Sequence, residues 1–125
     1  MNSKAIKSGE ILYNWLSQFA KTYRGVLPAG QQPDDLYLQF SGYYPNFAQQ
    51  FILPVQIYKM NTTSYAAVLK VADDIKNEVT EGGVLVGDNE MKIKIELGDP
   101  YYQDKPDEDN TVRAGYINLL VTIYG

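Results

Sequence analysis

The stretch VRAGYINLLVTIYG, Val112–Gly125, carries the strongest fold signal in the chain. It is dominated by apolar residues and is rich in the β-branched and aromatic side chains that are typical of strands. A strand this apolar has to be held inside a sheet, because an exposed one would leave a large apolar surface and an open edge in water. We therefore predict a strand at Val112–Tyr124 whose residues belong to the core.

The segment directly before this strand is rich in carboxylates and in residues that favour turns. It reads GDPYYQDKPDEDNT, Gly98–Thr111, and besides Tyr101 and Tyr102 it contains the acids Asp99, Asp104, Asp107, Glu108 and Asp109. Glycine, proline and clustered charge predict a loop here. We expect a mobile, acidic, tyrosine-bearing loop on a rigid frame, and this layout favours assembly over catalysis.

Apolar residues recur at intervals of three and four in two segments, and this spacing predicts two amphipathic helices. The first is predicted from Ser3 or Ser8 to about Tyr23. The second is predicted from Tyr65 to Val79 and stops before Gly82-Gly83. Leu69 is expected in the core, because it is assigned to the apolar stripe of the second helix. That stripe consists of Tyr65, Val68, Leu69, Ala72, Ile75 and Val79.

Alternation of apolar and polar residues predicts further strands. They are Leu36–Phe40, Phe51–Met60 and Met91–Leu97, with a short apolar segment at Val84–Val86. Pro54 cannot donate a ladder hydrogen bond, so its strand either lies at an edge or starts at Val55.

The predicted order is helix, strand, strand, helix, strand, strand. It indicates an α+β fold with both helices packed on one face of a mostly antiparallel sheet. A chain of 125 residues has room for one such domain, so residues 1–125 are assigned to a single domain. The other sheet face is not wholly polar, and something is expected to cover its larger side chains. These are Ile52, Tyr58, Tyr116, Leu120 and Tyr124.

The chain contains no cysteine and no histidine. Disulfides, thiolate catalysis and cysteine-type zinc sites are thereby excluded, and the commonest general base is absent. The phosphate-binding motifs G-x-G-x-x-G and G-x-x-x-x-G-K-[ST] do not occur. We therefore predict a protein without enzymatic activity or a cofactor. No apolar run approaches the roughly 20 residues that cross a bilayer, which predicts a cytoplasmic protein that does not contact the membrane.

Charge is distributed unevenly along the chain, whose net charge is −4. Residues 1–70 carry six Lys and Arg against three acids, whereas residues 71–125 carry five against twelve. This distribution disfavours a nucleic-acid-binding surface, which needs clustered Lys and Arg. It leaves open self-association in which a basic face meets an acidic one.

The acidic segment and the tyrosines each admit more than one interpretation. Clustered carboxylates suit calcium or magnesium, but the ligand spacing and central glycine of a calcium loop are missing, so a solvated loop or a protein-contact loop is favoured over a metal site. Tyrosine is enriched at interfaces, yet a role in capping the core is equally open for the pairs in predicted loops. The candidate assembly residues are Tyr43, Tyr44, Tyr101, Tyr102, Asp104, Asp107, Glu108 and Asp109.

The layout of the chain resembles a known family. The features that carry the resemblance are an N-terminal amphipathic helix, a second helix between two strand pairs, and an acidic loop that leads into R-x-G-Y-x-N-L-x-V-T-x-Y at Arg113–Tyr124. Together they resemble the small head-to-tail joining proteins of long-tailed bacteriophages, specifically the tail terminator or "minor capsid" proteins of phages that infect Gram-positive hosts.

This resemblance implies a virion structural protein that forms a ring, typically hexameric, at the top of the tail tube. The implied partners are further copies of the chain, the tail tube protein and the head connector protein, while double-stranded DNA passes through without specific binding. The implied location is the neck or tail of the virion, and the host cytoplasm during assembly. A ring built head to tail uses two different patches on each subunit, which fits an electrically polarised chain.

The sequence is also compatible with other functions. Head-completion and other neck proteins of phages are similarly small and similarly poor in motifs. A small ligand-binding or enzymatic α+β domain would enclose an apolar pocket, lined by Trp15, Tyr37, Tyr58 and Tyr116. A regulatory or toxin–antitoxin subunit would instead bind one stable partner of a different kind.

Overall fold

The computed structural model describes residues 4–25, 34–40, 50–79, 81–105 and 110–124. Two helices and six strands occur within these ranges. In chain order they are α1 (Lys4–Leu16), β1 (Lys21–Arg24), β2 (Leu36–Phe40), β3 (Gln50–Lys59), α2 (Ala66–Glu78), β4 (Val84–Gly87), β5 (Lys92–Lys105) and β6 (Arg113–Tyr124). The predicted α+β class is confirmed.

The six strands form one sheet in the order β1-β2-β3-β6-β5-β4. β1 and β2 are parallel, and the other neighbours are antiparallel. The prediction of a mostly antiparallel sheet is therefore wrong, because the sheet is mixed. The predicted element order is also wrong, because it omits β1 and β4. β6 pairs with β3 on one side and with β5 on the other, so the apolar C-terminal stretch is a central strand.

The sheet curls around α1. This helix contacts both β1 and β4, which are the two edge strands. A flat six-stranded sheet is about 24 Å wide, whereas a helix with its side chains is about 10–12 Å across. The curl of the sheet brings both of its edges within reach of this one helix.

The first helix is shorter than its spacing predicts. It ends at Leu16, where the amide of Phe19 donates to the carbonyl of Leu16 at 3.0 Å in a tight turn. The residues that continue the helical spacing form β1 instead, and Tyr23 pairs with Gln39 of β2. Pairing with a strand further along the chain outweighs the local helical pattern, which is a tertiary effect on a weak local preference.

The predicted loop at Gly98–Thr111 is also wrong in its first half, because β5 continues to Lys105. Leu97 pairs with Leu119 and Tyr102 with Ile117, so β5 advances by five residues over a length in which β6 advances by two. The three extra residues form a bulge, and its Gly98 and Pro100 are the residues that made the segment resemble a loop. The side-chain amide of Asn118 donates to the carbonyl of Pro100 at 3.0 Å and fastens the bulge to β6.

The other elements follow their predicted bounds closely. β2 is confirmed at Leu36–Phe40, and β3 extends from Gln50 through Pro54. The described pairing of β3 with β2 covers only Gln56–Lys59, so Pro54 has β6 as its described neighbour. The missing proline donor is thereby tolerated, as it would be at an edge.

The core lies between the helices and one face of the sheet. Alternate residues of β3, β5 and β6 are fully buried there, together with the inward stripes of α1 and α2. Leu69 does not belong to this core: it is 43% exposed, whereas Val68 is fully buried. Successive helix residues point about 100° apart, and Leu69 falls on the flank of the stripe rather than at its centre. Among the described residues, no helix combines the length and apolarity needed to cross a bilayer.

Candidate assembly surface

The sheet face opposite the helices, which we call the outer face, consists of two unlike halves. Directly paired residues of neighbouring strands point to the same side, so the strand pairing assigns the members of this face. One half, towards β1 and β2, carries Tyr23, Tyr37, Tyr58 and Tyr116. The other half, towards β4 and the N-terminal part of β5, carries exposed aliphatic side chains and lysines.

The rings of the tyrosine half pack against one another. The Tyr37 ring stacks on Tyr58 with 4.9 Å between centroids, and Tyr23 meets Tyr37 edge-on at 5.6 Å. Tyr23 and Tyr37 are both buried. Burial, reinforced by the neighbouring Tyr58 and Tyr23, raises the pKa of Tyr37 above its usual value. These rings are already in contact with one another, so this half offers little open surface.

Polar groups of the tyrosine half have partners inside the protein. The Lys105 ammonium donates to the Tyr58 hydroxyl at 2.7 Å and lies 5.0 Å from the ring centroid, a cation–π distance. Tyr58 in turn donates to the side chain of Gln56, and Tyr23 donates to Asp34 at 3.1 Å. The arrangement therefore stabilises the sheet.

The second half of the outer face is open. Ile52 is 52% exposed, Leu85 63% and Tyr124 49%. Leu120, which is partly buried, pairs with Ile52 and joins it to the rest of this face. Exposed apolar side chains that share one face of a soluble protein commonly mark a contact surface.

A groove crosses this open half. Its volume is about 600 Å³, and we call it the lysine groove. It is lined by Gly82, Gly83, Leu85, Lys92, Lys94 and Tyr124. The alternation of β5 produces it, because Ile93 and Ile95 point into the core and the intervening lysines point outwards. Lys94 lies 3.7 Å from Glu96.

An ion pair anchors α1 near this groove. Lys7 lies 2.6 Å from Asp88 and 3.6 Å from Glu90, in the turn between β4 and β5. The Lys7 hydrogen bond, followed by the backbone amides of Met91 and Glu90, lowers the pKa of Asp88 to about 2. The same contact raises the pKa of Lys7. These carboxylates face α1.

Tyr101, a predicted assembly residue, has an internal partner. Its hydroxyl donates to the backbone carbonyl of Ala72 at 2.6 Å, and its ring packs against the core. Burial, with a smaller contribution from nearby Asp73, raises the pKa of this tyrosine well above its usual range. The side chain therefore ties the β5 bulge to α2.

Tyr102 and Asp104 are brought together on β5. The Tyr102 hydroxyl donates to Asp104 at 2.7 Å, and Asp104 is exposed. The Tyr102 ring lies over Gly115, where an added Cβ would come within 2.5 Å of the hydroxyl oxygen. Both residues lie at the far end of the β5–β6 hairpin from the lysine groove. The remaining candidates, Tyr43, Tyr44, Asp107, Glu108 and Asp109, lie outside the described residues.

The pocket of the ligand-binding alternative does not form. Trp15 is buried in the core on the helix side of the sheet, whereas Tyr37, Tyr58 and Tyr116 lie on the outer face. The sheet separates the indole from the phenols, so the four side chains line no common cavity. Among the described residues, no group of three or more acidic side chains is arranged to hold a metal ion.

The lysine groove was missed in the sequence, although a signal for it exists. In MKIKIEL the alternation that assigns Ile93 and Ile95 to the core also assigns Lys92 and Lys94 to the opposite face. Leu85 and Tyr124 have the same outward parity on their own strands. The pairing of β4 with β5 was needed to bring Leu85 beside the lysines.

Comparison of the chain with protein families, with curated proteins and with solved structures found no match.

Proposed function

We propose that this protein is a structural subunit that assembles with copies of itself into a ring, in the manner of the tail terminator proteins of long-tailed bacteriophages. The observation that carries the proposal is the open half of the outer face, where Ile52, Leu85 and Tyr124 are each about half exposed. Burying apolar surface of this kind against a partner stabilises the complex, because it removes the surface from water.

The proposal takes its specific form from the resemblance in element layout and in the signature at Arg113–Tyr124. In that form the ring is a hexamer at the head–tail junction of the virion, assembled in the host cytoplasm. It caps the tail tube, contacts the head connector and lets double-stranded DNA pass without binding it specifically. The acidic composition supports a lumen of this kind, because positive charge would hold phosphates.

A role without catalysis fits the groups whose pKa values are shifted. A lysine lowers the pKa of Asp88 and another lowers that of Asp35, whereas burial raises the pKa values of Tyr37 and Tyr101. Each of these side chains contacts a structural partner: Asp88 contacts Lys7, Tyr37 stacks on Tyr58, and Tyr101 donates to the carbonyl of Ala72. Asp35 likewise bonds Lys59 at 2.6 Å and holds the start of β2 to the end of β3.

Assembly is tested by measuring mass as a function of protein concentration. We expect mass photometry and light scattering to detect a discrete ring, which negative-stain electron microscopy shows as an annulus. A protein that remains monomeric at all concentrations, alone and with tail tube protein, would overturn the proposal.

The place in the virion is tested by complementation of a phage that lacks its tail terminator. Loss of that protein should give tails of abnormal length, and restoration of uniform tails supports the terminator role. Restoration of a phage defective in head completion, with no effect on tail length, would assign the protein to the alternative neck role.

A further inference from the structure

One exposed flank of α2, beside its buried stripe, presents an apolar anchor with charges of both signs. Leu69 is 43% exposed there. Asp73 lies one helical turn further along, and Lys76 follows it. Neither charged residue makes a salt bridge with a described residue. We call these three residues the α2 flank.

The lysine groove has the complementary features. Leu85 and Tyr124 supply apolar walls, and Lys92 and Lys94 stand between them. Lys92 makes no salt bridge with the described residues, and Glu96, which lies beside Gly83 at the border of the groove, is 3.7 Å from Lys94. The groove thus has a place for a side chain such as leucine, cations for Asp73 and an anion for Lys76.

The two surfaces cannot meet within one molecule. α2 packs on the core side of β3 and β6, whereas the lysine groove lies on the outer face. The sheet lies between them, so a contact between the α2 flank and the groove has to join two molecules. A contact between two different patches is heterologous, and repetition of such a contact produces a ring or a filament rather than a closed dimer.

We propose that the α2 flank of one copy docks into the lysine groove of a second copy. Leu69 inserts between Leu85 and Tyr124, Asp73 faces Lys92 and Lys94, and Lys76 faces Glu96. An amphipathic helix that places its apolar residue in a groove is a common mode of recognition. This inference rests on the proposed function, since it identifies the contact that builds the ring.

A charge-exchange experiment tests the contact. Two variants are prepared: Asp73→Lys, which reverses the flank, and Lys92→Glu with Lys94→Glu, which reverses the groove. Each alone should associate at least about tenfold more weakly than the parent protein, because like charges then face each other. An equimolar mixture should regain assembly, since each reversed surface finds its complement on the other variant. Asp74→Lys is the matched control, because Asp74 lies on the opposite flank of α2, bonded to Lys70 at 3.0 Å.

The outcomes separate this inference from the proposed function. Parent-like assembly of both reversed variants, or a mixture that stays dissociated, would overturn the docking contact while leaving a ring built by other surfaces intact. Restored association that ends in open filaments would support the contact and overturn the ring, whereas association that ends in closed dimers would overturn both. A parent protein that never associates would overturn both. Binding of the groove to a different protein in place of a second copy, seen as association that only that protein induces, also contradicts the inference.

Discussion

Tyr101 on β5 donates a hydrogen bond of 2.6 Å to the carbonyl of Ala72 on α2. This contact joins the bulge of the longest hairpin to the helix that covers the centre of the sheet. It also explains why Tyr101 is half-buried in a segment whose sequence predicts a solvated loop. The Tyr101 hydroxyl is therefore a hydrogen-bond donor that helps to hold β5 against α2.

Replacement of Tyr101 by phenylalanine should destabilise the fold by about 1 kcal/mol, the usual net value of one hydrogen bond. Urea unfolding followed by circular dichroism measures the change. Tyr116→Phe is the matched control, because its hydroxyl bonds Gln103 at an exposed position. Equal stability of the Tyr101 and Tyr116 variants would contradict the structural role of Tyr101.

The same residue should give the protein a sensitivity to alkaline pH. The pKa of Tyr101 is raised by burial, so the unfolded chain loses this proton at a lower pH than the folded protein does. The contribution is fully present below about pH 10, the ordinary tyrosine value, and is lost as pH rises beyond it. The free energy of unfolding of the parent should therefore fall more steeply above pH 10 than that of Tyr101→Phe. Parallel curves would show that burial does not protect the phenol.

Two neighbouring residues of α2 should respond in opposite ways to the same substitution. Val68→Asp places a carboxylate in the core at a fully buried position, which costs several kcal/mol of a total near 5–15 kcal/mol, so this variant should not fold. Leu69→Asp should fold, because Leu69 is exposed, although the sequence pattern predicts that it would unfold. Thermal unfolding monitored by circular dichroism distinguishes the two. Loss of cooperative unfolding in both variants would mean that Leu69 is buried after all.

Acid should weaken the attachment of α1 to the β4–β5 turn. The pKa of Asp88 is lowered to about 2, first by the Lys7 hydrogen bond. A lowered carboxyl pKa contributes stability that is present above the unfolded value near 4 and is lost as pH falls towards 2. Asp88→Asn removes the charge but keeps the side-chain oxygen that accepts from Glu90 and Met91. Its stability should depend less on pH between 4 and 2 than that of the parent, as measured by urea titrations across this range.

Removal of residues 119–125 should leave an insoluble protein. Residues 119–124 form the second half of β6, which is bonded to β3 on one side and to β5 on the other. The truncation bares two strand edges and the apolar face below them. A soluble truncated chain with the parent's circular-dichroism spectrum would contradict the central position of β6.

The acidic residues Asp104, Asp107, Glu108 and Asp109 should affect assembly more than folding. Changing all four to Asn or Gln should leave thermal stability nearly unchanged, because Asp104 is exposed, the sequence predicts a solvated loop for the other three, and exposed loop charges are usually worth within about 0.5 kcal/mol each. Phage complementation with the neutralised protein should give free heads or tails of abnormal length. Full infectivity with normal tails would remove these residues from the assembly surface.

Local periodicity was sufficient to predict the type and approximate bounds of some of the elements. The bounds of β2 and α2 follow from periodicity. Pro54 lies in the part of β3 where β6 is the described neighbour. Periodicity was insufficient to predict the strands that form at Tyr23 and at Gly98–Lys105. In both places the backbone bonds a strand distant in the sequence, and neither the partner nor the register is encoded in the local spacing.

The sequence by itself determined the α+β class, the second helix, the apolar final strand and the absence of histidine and cysteine chemistry. The tertiary structure decided that Tyr101 bonds α2, that Leu69 is exposed and that Leu85, Lys92, Lys94 and Tyr124 share one groove. The physical reason is that periodicity identifies the face of an element but not the neighbour that it meets. Strand order, strand register and the position of a helix over the sheet supply that neighbour, and they arise only when the whole chain packs.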